Sequence, residues 1–147
     1  MKFINFFKHL HTVNKHRFKV FKLCLKAGIP FRGLVHDLSK YSPVEFFESA
    51  KYFNGKNSPI HNCKKDIGYS NAWLHHKGRN KHHFEYWIDY TAQGGEGPLS
   101  GMKMPDKYII EMVMDRIAAS KVYMKEKYTV PIYQKIGDPQ SRQYQLK

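Results

Sequence analysis

The residues of this chain that could do chemistry are its histidines and a few aspartates. In chain order they are His16, the pair His36-Asp37, the pairs His75-His76 and His82-His83, and Asp115. Imidazole nitrogen and carboxylate oxygen are the donors that divalent Zn, Fe, Mn or Co accept, and several of them drawn from different helices can hold one or two ions. Neighbouring helical residues point roughly 100° apart, so one member of each histidine pair faces a common ion most easily. His76 shares the more apolar face of its segment with Tyr69, Ala72 and Trp73, and His83 lies nearer the side marked by Phe84, Trp87 and Ile88. These two are the preferred ligands, with His75 and His82 as alternates that would otherwise orient ligands from behind or touch substrate. A solvated, histidine-rich surface patch is the competing reading of that segment.

Asp115 shares its helix face with Tyr108, Met112, Ala119 and Val122. An ionised carboxylate there should be buried, which costs several kcal/mol unless a cation or hydrogen bonds compensate it. A metal ion and an Arg or Lys from the first helix both remain open as that partner. His16 poses the same problem beside Val13, Val20 and Leu23: alone it would be a satisfied core histidine, but here it has company. His9 shares that face nearer the end of the helix and is the weaker candidate.

The elements that must position these groups read as helices. Residues 3 to 27 form a long amphipathic helix stopped by Gly28. The segment 31–40 suits only a turn or two, and Ser42-Pro43-Val44-Glu45 is a capping box opening a helix from Pro43 to Tyr52. Another helix is expected near Asp66 to His76, a further one after Asn80, and a last one from Pro105 to about Tyr128. Gln93 to Gly101 reads as a flexible loop without the strand or the Lys-Ser/Thr ending of a P-loop. No repeat and no alternating strand stands out. The expectation is an all-α bundle of five to six helices over residues 1–130, with a loosely attached tail over 131–147.

The chain of 147 residues carries 25 Lys and Arg against 12 Asp and Glu, a net charge of +13 that favours an anionic, phosphorylated small molecule or a nucleic acid as partner. Cys24 and Cys63 form neither a C-x-x-C pair nor a disulfide framework, which suits a reducing, cytoplasmic setting. The N-terminus lacks the pattern of a signal peptide, and no apolar run is long enough to span a bilayer.

The string His36-Asp37-Leu38-Ser39-Lys40 closely resembles the His-Asp-x-x-Lys signature of the HD-domain phosphohydrolases. The order His16, His36-Asp37, later histidines, Asp115 is similar to that superfamily's ligand pattern. The resemblance implies an HD-like bundle holding one or two divalent ions (Mn, Fe, Zn, Co or Mg) that hydrolyses a phosphate ester, a nucleotide or phosphodiester, with metal-activated water. In it His16, His36, Asp37 and Asp115 bind the first ion. Asp37 bridges to a second ion held by one histidine of each later pair. Asp37, Lys40 and Arg79 are then the catalytic residues, and Lys40, Arg79 and Lys81, with Arg32 as a further candidate, meet the phosphate. The signature itself supports Lys40. One departure is that the later histidines fall within nine residues, more closely spaced than in superfamily members with two metals. The whole sequence, including Leu34 to Phe47 and His75 to His83, also resembles a family of small bacterial and phage proteins of unknown function.

Two rivals follow from the same residues. Some proteins resembling this ligand pattern hold two irons and activate oxygen. A basic, aromatic-rich helical module could instead bind nucleic acid without catalysis, although such a module has no use for a carboxylate on an apolar face.

Overall fold

A computed structural model of the chain describes residues 3–90 and 99–123. Six α-helices and one two-stranded hairpin make up the regular structure of these residues apart from two 3-10 turns. Helix α1 (Phe3–Lys26) is the longest. It ends where the sequence changes character, with Ala27 still bonded to Leu23 and Gly28 in the left-handed region at φ 76°. Helix α2 (Pro30–Val35) starts on a proline and folds back against α1. Gly33 makes that return possible: a Cβ on it would stand 2.6 Å from Cys24 Cβ and 3.0 Å from Phe21 Cα.

After His36 and Asp37 comes a 3-10 turn (Leu38–Tyr41), then α3 (Pro43–Tyr52), whose boundaries are those expected from the Ser42-Pro43 start. Half of the capping box forms: the Ser42 hydroxyl accepts from the Glu45 amide. The Glu45 carboxylate does not complete the box but turns into the protein towards His75 and His76.

The helix expected near 66–76 is in fact two. Helix α4 (Pro59–Ile67) stops at Gly68, φ 84°, and α5 (Asn71–Lys77) starts afresh on a Ser70 cap. Glu48 of α3 reinforces that start, accepting from Ser70 Oγ and from the amides of Asn71 and Ala72. Its negative charge suits the partial positive charge of a helix N-terminus.

The helix expected to start at Asn80 does not form. The chain makes a 3-10 turn (Phe84–Trp87) and runs into strand β1 (Ile88–Tyr90), paired antiparallel with β2 (Leu99–Gly101) so that Asp89 faces Ser100. Ile, Tyr and Trp here favour extended pairing over a further helical turn. The last described helix, α6 (Asp106–Tyr123), lies against α1. Of the loop expected over Gln93 to Gly101, Leu99–Gly101 instead forms β2; its part over 93–98, the extension of α6 towards Tyr128 and the tail over 131–147 lie outside the described residues.

α1, α2 and α6 pack together around Val20, Cys24 and Ala118, while α3, α4 and α5 form a second layer against them. Nine hydrophobic residues are buried among the described residues, and so are nine polar or charged ones, most of them histidine or carboxylate. Such a polar interior must satisfy its own charges. No described helix is long and apolar enough to cross a membrane.

Candidate metal centre

The donors converge where α1, α5 and α6 meet the turn after α2; most are buried, while Asp115, expected to be buried, and His83 are half-buried. His16 comes from α1, Asp115 from α6, His76 from α5, His36 and Asp37 from the end of α2, and His82 and His83 from the turn after α5. Two groups of four donors result, each with its ligand atoms within 4.8 Å of one another: His16, His36, Asp37 and Asp115, and Asp37, His76, His82 and His83; His36 and His82 also form a smaller group with Glu111 behind these two. Asp37 belongs to both.

Local conformation explains how adjacent residues can face one point. His36 ends α2 in an extended conformation, and Asp37 follows in the left-handed region at φ 54°, so the two side chains turn inward together. Arg17 of α1 holds this corner, donating to the carbonyls of His36 (2.8 Å) and Leu34 (2.9 Å). His82 and His83 also lie outside any helix, and both join the second group. The expectation of a single ligand from that pair assumed helical geometry, which the chain does not adopt there. In the pair that is helical, His76 faces inward, whereas His75 turns to Glu45 Oε1 at 2.7 Å and joins neither group. His9 stays apart, packed against the rings of Phe46 and Phe53.

Whether a divalent ion fits is decided by the spacing and alignment of these donors. His16 Nε2 is 2.9 Å from Asp115 Oδ1, and His36 Nε2 is 3.2 Å from Asp37 Oδ2 and 3.4 Å from Asp115 Oδ1. His76 Nε2 and His82 Nε2 each lie 3.3 Å from Asp37 Oδ1. Yet His16 Nε2, His36 Nε2, His82 Nε2, His83 Nε2 and Asp37 Oδ1 are buried with no aligned hydrogen-bond partner among the described residues. Proximity without hydrogen-bond alignment is the relation between ligands of one ion: donors about 2.1 Å from a shared ion lie ~3.0 Å apart across a right angle and ~3.4 Å apart across a tetrahedral one. The residues therefore fit one or two divalent ions.

Carboxylates behind the imidazoles set their orientation. Glu45 Oε2 lies 2.8 Å from His76 Nδ1, and Glu111 Oε1 lies 3.0 Å from His36 Nδ1 and 3.2 Å from His82 Nδ1. A carboxylate behind Nδ1 favours a proton there, and with an ion bound it would leave the Nε2 lone pair facing the group. Burial pushes the Glu111 carboxyl up, but the His36 and His82 hydrogen bonds, with Arg32 behind them, hold it down to about 2. Burial likewise opposes ionisation of Asp37 and Asp115. It is outweighed at Asp37 by His36 and Lys40, and at Asp115 by His16 and His36, so both carboxyls lie well below the ordinary range. Burial, with the neighbouring His82 and His76, lowers His83 to about 3, so its imidazole is neutral and able to donate a lone pair.

Neither Glu45 nor Glu111 was singled out as a site residue in the sequence. Glu111 had a legible signal, since it stands one helical turn before Asp115 on the same face. Glu45 was concealed by its fit to a capping box.

A model of the family of unknown function DUF5662 matches residues 5–144. The chain belongs to this family. No curated protein and no solved structure matches it. Membership of DUF5662 assigns no activity, so any function must be argued from the centre and its surroundings.

Beside the donors lies a cavity of about 300 Å³, lined by Val13, Ile60, Trp73 and Val122 as well as by His16, His76, His83 and Asp115. Lys40 is the one Lys or Arg among the described residues on its lining, with Nζ 3.1 Å from Asp37 Oδ2. Burial would lower the Lys40 pKa, but the Asp37 and Asp115 carboxylates raise it, so the ammonium stays charged. Arg79 and Lys81 line a different cavity with Arg32, Asn80 and Glu111 and are not brought to the donors. Arg32 is paired with Glu111 through Nε and Nη2.

Proposed function

We propose that this DUF5662 member is a divalent-metal-dependent phosphohydrolase of the HD type, acting on a phosphate ester with water as nucleophile. The observation that carries this reading is the convergence of seven side chains into two donor groups sharing Asp37. His16, His36, Asp37 and Asp115 would hold one ion, and Asp37, His76, His82 and His83 a second. Nitrogen donors from five histidines against two aspartates suit Mn, Fe, Co or Zn better than Mg. A bound ion would supply Lewis-acid polarisation of a phosphoryl oxygen and would acidify water towards neutral pH.

The remaining work falls to the chain's own groups. Lys40, already charged beside Asp37, can turn its ammonium to a phosphoryl oxygen and stabilise charge that grows there. The apolar wall of Trp73, Ile60 and Val122 lowers the local dielectric and strengthens that attraction. Arg79 and Lys81, on another cavity, act on an approaching anion only at long range.

The test is elemental analysis of untagged protein, then assay of phosphomonoesters, phosphodiesters and nucleotides after loading with Mn, Co, Zn or Fe, with oxygen uptake followed in parallel. Bound metal and phosphate release, both lost in Asp37→Ala and Asp115→Ala, are expected. Wild-type metal content in both variants would overturn the site, and oxygen uptake without phosphate release would overturn the hydrolytic chemistry.

A further inference from the structure

The geometry points to Glu111 as a positioning residue common to both donor groups, a single carboxylate that sets a ligand of each. This inference rests on the metal-centre reading above. Glu111 is fully buried. Its Oε1 receives His36 from one group at 3.0 Å and His82 from the other at 3.2 Å, while its Oε2 lies 2.7 Å from both Arg32 Nε and Arg32 Nη2. A carboxylate has about four acceptor sites, and these four contacts occupy them. The two imidazole rings lie 4.4 Å apart, so neither can swing without disturbing the other.

Arg32 is what leaves Oε1 to the imidazoles. Its guanidinium holds Oε2 from the outside and rests 4.6 Å over the Tyr108 ring, so the carboxylate cannot rotate. Glu45 provides the internal contrast, because the imidazoles it meets are His76 and His75, of which only His76 belongs to a donor group. The two outer carboxylates should therefore fail differently. Loss of Glu45 weakens one subsite; loss of Glu111 weakens both. In Glu111→Gln the amide has one oxygen. Turned to the imidazoles, it sets its NH₂ against Arg32; turned to Arg32, it sets that NH₂ against two N–H donors.

The experiment uses the full chain, stripped with chelator and titrated with Co(II), read by calorimetry and by the visible absorption of the bound ion. Wild type should take up two ions. Glu45→Gln should leave the tighter or the weaker of the two steps unchanged and weaken the other by ~10–100-fold, whereas Glu111→Gln should weaken both by ~10–100-fold. Arg32→Gln, which keeps both imidazole contacts but frees Oε2, should weaken both steps by a smaller factor, and it decides the matter if Glu111→Gln fails to fold. Two ions in wild type with only one step shifted in Glu111→Gln, or in Arg32→Gln, would overturn the shared role of Glu111. No Co(II) uptake by wild type would overturn the metal-centre reading itself.

Discussion

Asp37 combines an unusual backbone with a shared side chain. It is the one non-glycine residue at positive φ among the described residues, in a region that costs an ordinary L-residue about 1–2 kcal/mol but that aspartate tolerates better. That conformation breaks the chain out of α2 and turns a fully buried carboxylate towards both donor groups. His9 shows the opposite case, a buried imidazole outside the centre. Burial first, and then the charge of Lys40, lower its pKa from the ordinary 6.5 to about 4. The folded protein thus binds fewer protons at His9 than the unfolded chain between those values. His9 costs the fold nothing above pH 6.5 and destabilises it progressively as pH falls towards 4, by about 1.4 kcal/mol per unit at most. His9→Phe should therefore gain stability relative to wild type as pH falls through that window in urea denaturation. A constant difference from pH 7 to pH 4 would show that His9 is not held neutral.

Among the elements, the contact between α1 and α2 has the least tolerance. Gly33 lies against Cys24 so closely that an added Cβ must displace one helix, and that displacement reaches His36 at the end of α2. Gly33→Ala is expected to cost ~1–3 kcal/mol by overpacking. Cys24→Ala keeps the offending Cβ and should not rescue it, so rescue in equilibrium denaturation would contradict the close approach. On the other side of the centre, Glu48 ties α3 to the start of α5 and so carries His76 into position. Burial raises its pKa, but the Ser70 hydroxyl and the amides of Ala72 and Asn71 lower it overall.

For the molecule as a whole, the interior and the surface divide the charge unevenly. Four of the chain's 12 acidic residues, Asp37, Glu45, Glu111 and Asp115, surround the centre, which leaves the rest of the surface more basic than the net +13 suggests. With as many polar as hydrophobic residues buried among the described residues, apolar burial does not alone account for the stability of the interior. An ion bound only by the folded chain would add about 2.7 kcal/mol at a hundredfold excess over its Kd. Chelation should accordingly lower the melting temperature, and Mn(II) or Co(II) should restore it in a concentration-dependent way. A melting curve indifferent to both would deny the centre any part in the fold.

Local signals were enough to define much of this protein. Gly28 and Ser42-Pro43 mark helix ends through their own backbone preferences, and the helical period aligned His16 and Asp115 with apolar neighbours, so that polar groups beside the core were legible without coordinates. The tertiary structure decided what depends on distance across the chain or on backbone outside a helix. His82 and His83 both face inward because their turn escapes helical spacing. Glu111 and Glu45 acquire their imidazole partners only when α6 and α3 are packed, and Arg79 and Lys81 fall on another cavity. Helix periodicity is a property of neighbouring residues, whereas the pairing of charges remote in sequence is set by packing, and no local pattern encodes it.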